Sequence, residues 1–312
     1  MKVNLHVEPN TVPLSWQRFR QLKGPHSIAL DGYVASGPRF THTGPCANFN
    51  HHEGVSRLET RATCAQVLLA VRQGMYDRFV DPDTGYTTAD IYVNDCDEDV
   101  CLSVFILQNP HLALSTMNPL LNRLVFMEDM LDTTAGAYPF PKELETLGQL
   151  MWVFSPYHNF RVNGGIDKRS REQFEDIISS VGRRIMDFIT GKSESIELDT
   201  RYEILNTRRL GNCVWQVLKE VGPNARIGVF GDGIKAFLSP RQRPDGRWSY
   251  AIGRMSHFVH FPIPIFFKAL NKAEGNKDGD QWGGSDTIGG SPRIRGSRFH
   301  PDEVCRIMES IL

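Results

Sequence analysis

Four acids fall within five residues at Asp95, Asp97, Glu98 and Asp99. Carboxylates this close repel one another and raise each other's pKa unless a cation neutralises them. They stand between Ile91-Tyr92-Val93, a β-prone run, and Val100–Leu107, an apolar run that can wrap into a helix. A strand that feeds acids into the head of a helix is how an α/β protein presents metal ligands at the carboxyl edge of its sheet. The plainer alternative is a solvated acidic turn. A second group lies upstream at Asn50-His51-His52-Glu53. Adjacent histidines on a regular element point different ways, so at a strand end one can coordinate while the other orients a substrate. Asp31 closes the short apolar run Ser27-Ile28-Ala29-Leu30 and is followed by Gly32. Further on, Glu128, Asp129 and Asp132 are spaced to share a helix face. Near the end, Gly283-Gly284-Ser285 and Gly289-Gly290-Ser291 are followed by Arg293, Arg295 and Arg298. Glycines let a backbone approach an anion and offer it N–H groups, and arginines add bidentate donors, so this stretch is expected to bind an anion.

These residues need elements to hold them. Thr60–Val71 has a polar start and a helical apolar pattern, which fits a helix behind the histidines. Residues 111–132 read as helical, and 142–190 as mostly amphipathic helix with a break at Asn163-Gly164-Gly165. Residues 1–26 are polar and proline-punctuated, with Trp16 and Phe19 packing on the body. Composition turns polar around Gly191–Ser195, and the style of the chain changes beyond it. Arg226–Phe230, Lys235–Ser239 and Trp248–Arg254 read as strands, the last two flanking a Pro244-Asp245-Gly246 hairpin turn. A helix within Phe261–Leu270 and a short one from Pro301 follow. The expectation is an α/β chain in two domains. Residues 1–195 form a parallel-sheet metal-binding domain, and 196–312 a smaller α/β domain that binds substrate.

The chain has 312 residues, 40% hydrophobic and 23% charged, with net charge −1. Near-neutral charge gives no electrostatic case for general nucleic-acid or anionic-membrane binding. No apolar run approaches the roughly 18 residues needed to cross a bilayer. The first nine residues lack the apolar core of an export signal, which makes the cytoplasm the expected location. The six cysteines form no Cys-x-x-Cys pair and read as reduced thiols, with Cys96 and Cys101 as packing residues.

Together the residues resemble the DHH phosphoesterase superfamily. Asn50-His51-His52 with Thr60-Arg61-Ala62-Thr63 looks like its Asp-His-His motif and the helix behind it. Asp95-Cys96-Asp97 with Ser103 resembles its Asp-x-Asp motif, and Asp31 its bridging aspartate. Asp129 or Asp132 matches the last metal aspartate, and Gly283–Ser291 the glycine-rich substrate loop. The order differs, since Asp-x-Asp follows the histidines here. Asn50, Ile91 and Ser285 stand where the family has aspartate, histidine and histidine. The resemblance implies one or two Mn²⁺ or Mg²⁺ ions on Asp31, His51, Asp95, Asp97 and Asp129 or Asp132, in a cleft between two domains. His52 and Asp97 would act in catalysis. Arg241, Arg243, Arg254, Arg293 and Arg295, with Gly283, Gly284, Ser285, Gly289, Gly290 and Ser291, would grip the substrate. The expected activity is a metal-dependent hydrolase of phosphoester type acting on a small anionic substrate, the chain alone or as a homodimer. The alternatives are hydrolysis of an amide or other C–N bond on a rebuilt site, or a non-catalytic relative that binds a nucleotide or anion.

Overall fold

The computed structural model describes residues 1–115, 118–276 and 279–311. It shows a mixed α/β protein with two mixed sheets and, among the described residues, twelve helices. Internal contacts divide the chain into two compact units. One joins Met1–Thr133 to Glu145–Ile196, and the other joins Thr134–Leu144 to Glu197–Leu312.

The first unit runs β1 (Lys2–Val7), α1 (Trp16–Lys23), β2 (Ser27–Leu30), β3 (Arg39–Thr41), β4 (Cys46–Phe49), α2 (Thr63–Arg72) and α3 (Met75–Arg78). It continues with β5 (Thr88–Val93), α4 (Glu98–Gln108), α5 (Pro110–Leu114), α6 (Pro119–Thr133), α7 (Glu145–Val162), α8 (Gly165–Lys168) and α9 (Arg171–Ile189). Its sheet has the order β1-β5-β2-β4-β3, with four parallel strands and β3 antiparallel at one edge. All four residues of β2 are buried, as a central strand covered on both faces requires. The run Asp99–Leu107 of α4 is buried throughout, so this helix is enclosed on all sides, packed against α2, α6 and α9. Beside the sheet, Phe19, Ala29, Tyr33, Val34, Cys46 and Tyr92 form a small core. At its rim Glu8 accepts hydrogen bonds from Lys23 at 2.8 Å, Thr11 at 3.2 Å and the Tyr33 hydroxyl. Burial pushes the Glu8 carboxyl up, but Lys23, Tyr33 and Thr11 outweigh it and bring it below the usual range.

The second unit contains β6 (Tyr202–Leu210), β7 (Cys213–Glu220), α10 (Ala225–Gly231), β8 (Ala236–Gln242), β9 (Trp248–Arg254) and α11 (Ile263–Glu274). It ends with β10 (Gly283–Gly284), β11 (Ile288–Gly290) and α12 (Pro301–Glu309). The sheet order is β10-β11-β9-β8-β7-β6, and β7 and β8 form its parallel pair. Trp215, Val217, Leu238 and Ile252 pack on one face with Phe266 and Leu270 of α11 and Val304 and Met308 of α12. Leu218 and Phe237 alternate to the other face and meet Val229 and Phe230 of α10 and Ala137 from the Thr134–Leu144 segment. That segment is also tied down by Lys142, whose Nζ lies 2.9 Å from Asp232.

Two local expectations change. Arg226–Phe230, read as a strand, lies in the helix α10. Its β-branched residues suggested a strand, but the buried positions Ala225, Gly228 and Val229 follow the i, i+3, i+4 spacing of a helix face. The stretch 111–132 is divided between α5 and α6, with Pro119 opening the second helix and residues 116 and 117 outside the described ones. Residues 1–26 hold β1 and α1, and Phe19 of α1 is buried on the body as expected. Elsewhere the hairpin at Pro244-Asp245-Gly246 joins β8 and β9 as expected. All six cysteines are free and buried. Among the described residues, no helix is long and apolar enough to cross a membrane.

Candidate metal centre

The candidate ligands gather at the carboxyl ends of three neighbouring strands. Asp31 follows β2, His51 and His52 follow β4, and Asp95–Asp99 follow β5. This is the edge at which parallel sheets present their sites. Asp31 sits at φ 43°, a left-handed conformation uncommon outside glycine, and Gly32 continues it at φ 84°. Such backbone costs about 1–3 kcal/mol and persists where the surroundings hold it. Here the Asp31 N–H donates to the Phe49 carbonyl at 2.9 Å, and the Thr63 hydroxyl donates to Asp31 Oδ1 at 3.0 Å.

His51 is fully buried. Its Nε2 lies 2.8 Å from Asp132 Oδ2, 3.6 Å from Asp31 Oδ1 and 3.8 Å from Asp99 Oδ2. Neither ring nitrogen has a hydrogen-bond partner, and neither does Asp132 Oδ2. The 2.8 Å approach therefore lacks hydrogen-bond geometry. His52, exposed where His51 is buried, reaches Asp31 Oδ1 at 3.0 Å. A strand would have sent the two rings apart. They occupy a bend beyond β4, and their centroids lie 4.4 Å apart. Asp31, His51 and His52 form one group with the spacing of metal ligands, and His51, Asp99 and Asp132 form another.

Asn50 shapes the bend. Its amide NH₂ donates to the carbonyls of Val34 and Ser36 and to Glu53 at 2.6 Å, while its oxygen accepts from the His52 N–H at 3.0 Å. An aspartate would meet those three acceptors with no donor, which accounts for the amide at a position where the resemblance has an acid.

The amino end of α2 fixes two of the carboxylates. The helix has no side-chain cap of its own, since its N-cap is Ala62. Asp99 of α4 accepts from the N–H groups of Thr63 at 2.7 Å and Cys64 at 2.6 Å. Asp129 of α6 accepts from Ala62 N–H at 2.7 Å and pairs with Arg61 at 3.2 Å. Two acids from other helices thus satisfy donors that a helix start leaves open, at the end where the dipole favours negative charge. Asp132, one turn beyond Asp129, turns to His51 instead and is held by Arg57 at 2.8 Å.

The site is electrostatically crowded. Burial, then Asp132 and Asp31, hold the Asp99 carboxyl well above the usual range. Burial, then Asp31, Asp95 and Glu98, do the same for Asp97. Asp95 is raised by burial and by Asp31 against the Cys96 N–H that it accepts. Buried Glu128 is pushed up by burial and by Glu98, Asp132 and Asp99. Asp132 goes the other way: burial raises it, but His51 and Arg57 bring it below the usual range. The hydrogen bond to Asp31 lifts His52 against the opposing effect of burial. A cation among these groups would remove the repulsion and give His51 Nε2 and Asp132 Oδ2 a partner.

Of the expected ligands, Asp31, His51 and Asp132 come together, joined by His52 and Asp99. Asp95, Asp97 and Asp129 belong to neither group. Asp97 caps α4 by accepting from Val100 N–H at 3.0 Å, and Asp95 accepts from Cys96 N–H at 2.7 Å. His158 of α7 was not singled out from the sequence; its Nε2 lies 2.6 Å from Glu98. The acids also press on Tyr157, whose hydroxyl is raised by burial and by Asp97, Glu98 and Asp95.

In the second unit, Gly283 and Gly284 pair with Gly290 and Gly289 as strands β10 and β11. A Cβ on Gly290 would lie 2.0 Å from the Tyr250 carbonyl oxygen, so close backbone packing already accounts for that glycine. Ser285 bonds within its own turn, and Ser291 Oγ accepts from Tyr250 N–H at 3.0 Å. Arg254 is buried and donates to the carbonyls of Asp286 at 2.7 Å and Val259 at 3.1 Å. Arg243 donates to Ile294 O at 2.9 Å and Arg295 to Asp280 O at 2.8 Å, whereas Arg293 is exposed. Arg241 lines a cleft of this unit.

Compared with family models, with curated proteins and with solved structures, the chain matches none.

Proposed function

We propose that the chain is a metal-dependent hydrolase, with Mn²⁺ or Mg²⁺ held in the first unit and phosphoesters as its substrates. The observation that carries this reading is His51: buried, both ring nitrogens without a hydrogen-bond partner, with oxygens of Asp31, Asp99 and Asp132 within 3.8 Å of Nε2. Buried polar atoms without partners are rare. A divalent cation held by His51, Asp99 and Asp132 would partner Nε2 and Asp132 Oδ2 at once. The close contacts all use the one Nε2, which binds a single ion, and this favours one cation over two.

When bound, such an ion supplies Lewis acidity at a phosphoryl oxygen and lowers the pKa of a water. The chain's own residues do the rest. Thr63 orients Asp31, the amino end of α2 orients Asp99, and Arg57 anchors Asp132. His52 stands exposed at the rim, placed to hand a proton from its imidazole to a departing oxygen. The resemblance to DHH phosphoesterases supports the phosphoester class, because histidines and aspartates of the same kind follow strands here.

The test is elemental analysis of protein purified without an affinity-metal step, beside turnover of bis(p-nitrophenyl) phosphate. We expect near-stoichiometric Mn or another first-row metal, lost in Asp132→Asn. In His52→Gln we expect phosphodiester turnover to fall while bound metal is retained. Protein that carries no metal and takes none up from millimolar Mn²⁺ or Mg²⁺ overturns the proposal.

A further inference from the structure

The second unit holds a cleft of about 970 Å³, lined by residues of β6 to β9, the turn after β7 and the first turns of α12. Its origin lies in the sheet. Strands β7 and β8 pair only at Gln216 with Phe237 and Val217 with Leu238. Each pairs along most of its length with its other neighbour, β7 with β6 and β8 with β9. Beyond Val217 and Leu238 the two strands part, and Pro240, which has no N–H to give a ladder, stands on β8 where they do so. Ser239, Pro240, Arg241 and Gln242 all line the cleft. Successive strand residues face opposite sides, so the space passes through the sheet at the splay rather than lying on one face.

Its walls combine flat rings with cations. Trp248 and Tyr250 stack with centroids 6.2 Å apart, and both line the cleft. Of the cations there, Arg208 is paired with Glu309 at 3.0 Å and Arg226 with Glu220 at 3.4 Å. Arg208 Nε is nonetheless buried without an acceptor. Arg241 has no acidic partner among the described residues and is exposed to whatever enters. An orphaned guanidinium N–H and an unpaired guanidinium beside stacked rings call for an anionic group on a flat apolar body. The volume is at the upper end of the range for small-molecule sites, about 300–1,000 Å³.

The geometry points to a binding site for a small molecule that joins an aromatic ring system to a carboxylate, phosphate or sulfonate. The anion lies against Arg241 and the ring against Trp248, whose own stacking partner Tyr250 is buried behind it. The site is built entirely within the second unit and stands or falls independently of the metal centre.

The test is a fluorescence titration of the full chain with anilinonaphthalene sulfonate, an aromatic anion that brightens when shielded from water. We expect saturable one-to-one binding. Arg241→Glu should weaken it at least tenfold, because attraction becomes repulsion, and Arg208→Gln should weaken it severalfold. Arg247→Glu, on the neighbouring hairpin but outside the cleft, serves as the charge control and should leave the titration unchanged. Circular-dichroism melts of all three variants establish that they are folded. Binding that does not saturate, or that Arg241→Glu and Arg247→Glu alter equally, overturns the assignment.

Discussion

Replacing Asp99 by alanine removes the acceptor of two hydrogen bonds, from Thr63 N–H at 2.7 Å and Cys64 N–H at 2.6 Å. Both donor residues are fully buried, so water cannot take its place. A buried donor left without a partner costs about 1–3 kcal/mol, which puts the pair at roughly 2–6 kcal/mol. Loss of negative charge at the start of α2 adds about 0.3–1 kcal/mol. A contrary effect comes from the carboxyl itself. Burial, with Asp132 and Asp31 close by, holds it well above the usual range, and its removal relieves that crowding. The net loss should therefore fall in the lower part of the range, roughly 2–4 kcal/mol. For a unit of 150–250 residues each kcal/mol moves the melting midpoint by about 2–4 °C, so a drop of roughly 4–16 °C is expected. The assay is a thermal melt followed by circular dichroism in EDTA, where no cation contributes. Asp99→Asn keeps one acceptor and should fall between wild type and Asp99→Ala. Adding Mn²⁺ to 100 times its dissociation constant should stabilise wild type by about 2.7 kcal/mol and leave Asp99→Ala nearly unmoved. A loss below about 1 kcal/mol in Asp99→Ala, in EDTA, would refute the reasoning that this acid caps α2 from another helix.

Glu8→Gln should cost about 1–2 kcal/mol at pH 7, where wild type keeps charge-assisted bonds to Lys23 and Tyr33. Because the folded carboxyl titrates below its unfolded value, that stability is present above about pH 4.5 and lost as pH falls through the folded pKa. Urea melts at neutral and acid pH should show the gap between variant and wild type narrowing. Gly290→Ala should destabilise the second unit by more than about 2 kcal/mol, since its Cβ would meet a carbonyl oxygen at 2.0 Å. Gly283→Ala, with nothing within 4 Å, should melt within about 0.5 kcal/mol of wild type, and equal losses at the two positions would contradict this packing. Asn50→Asp should cost about 2–4 kcal/mol, because a carboxylate cannot donate to Val34 O, Ser36 O and Glu53. Chemical denaturation of the EDTA-treated protein measures it.

Much of the centre was legible because strand ends announce themselves. Asp31 after Ser27–Leu30, His51 after a turn-rich stretch and the acids between β5 and α4 all stand where a parallel sheet delivers side chains. What the sequence could not say was which acid of a crowded run turns inward. Asp95, Asp97 and Asp99 are chemically alike, and the choice rests on how α4 is rotated against α2. Asp97 is taken up by the cap of its own helix, which leaves Asp99 one residue into the first turn to meet Thr63 and Cys64. Asp129 and Asp132 were indistinguishable for a similar reason: three residues apart they share a face, and only tertiary contacts send one to Ala62 and the other to His51. His158 is 60 residues from Glu98, beyond the reach of any local pattern. In the second unit the paired glycines read as an anion loop because permissive backbone looks the same whether it admits a ligand or a neighbouring strand. The strand mistaken in α10 has a related cause, since Ile227, Val229 and Phe230 satisfy either period over so short a span.

The segment Thr134–Leu144 belongs to the second unit although helices of the first stand on both sides of it in the chain. Its Ala137 packs with Leu218, Val229, Phe230 and Phe237. During synthesis this segment leaves the ribosome well before the strands it serves and must wait, unpartnered, for β7, α10 and β8 to follow. The first unit cannot be completed in a single uninterrupted stretch either, because α7 to α9 emerge after that waiting segment. The two units are thus interleaved in the order of translation. A chain severed after Ile196 would strand Ala137 and Lys142 on one fragment and their partners on the other. The fragment beyond Ile196, which lacks that segment of its own unit, should then be ordered only when the other is produced with it.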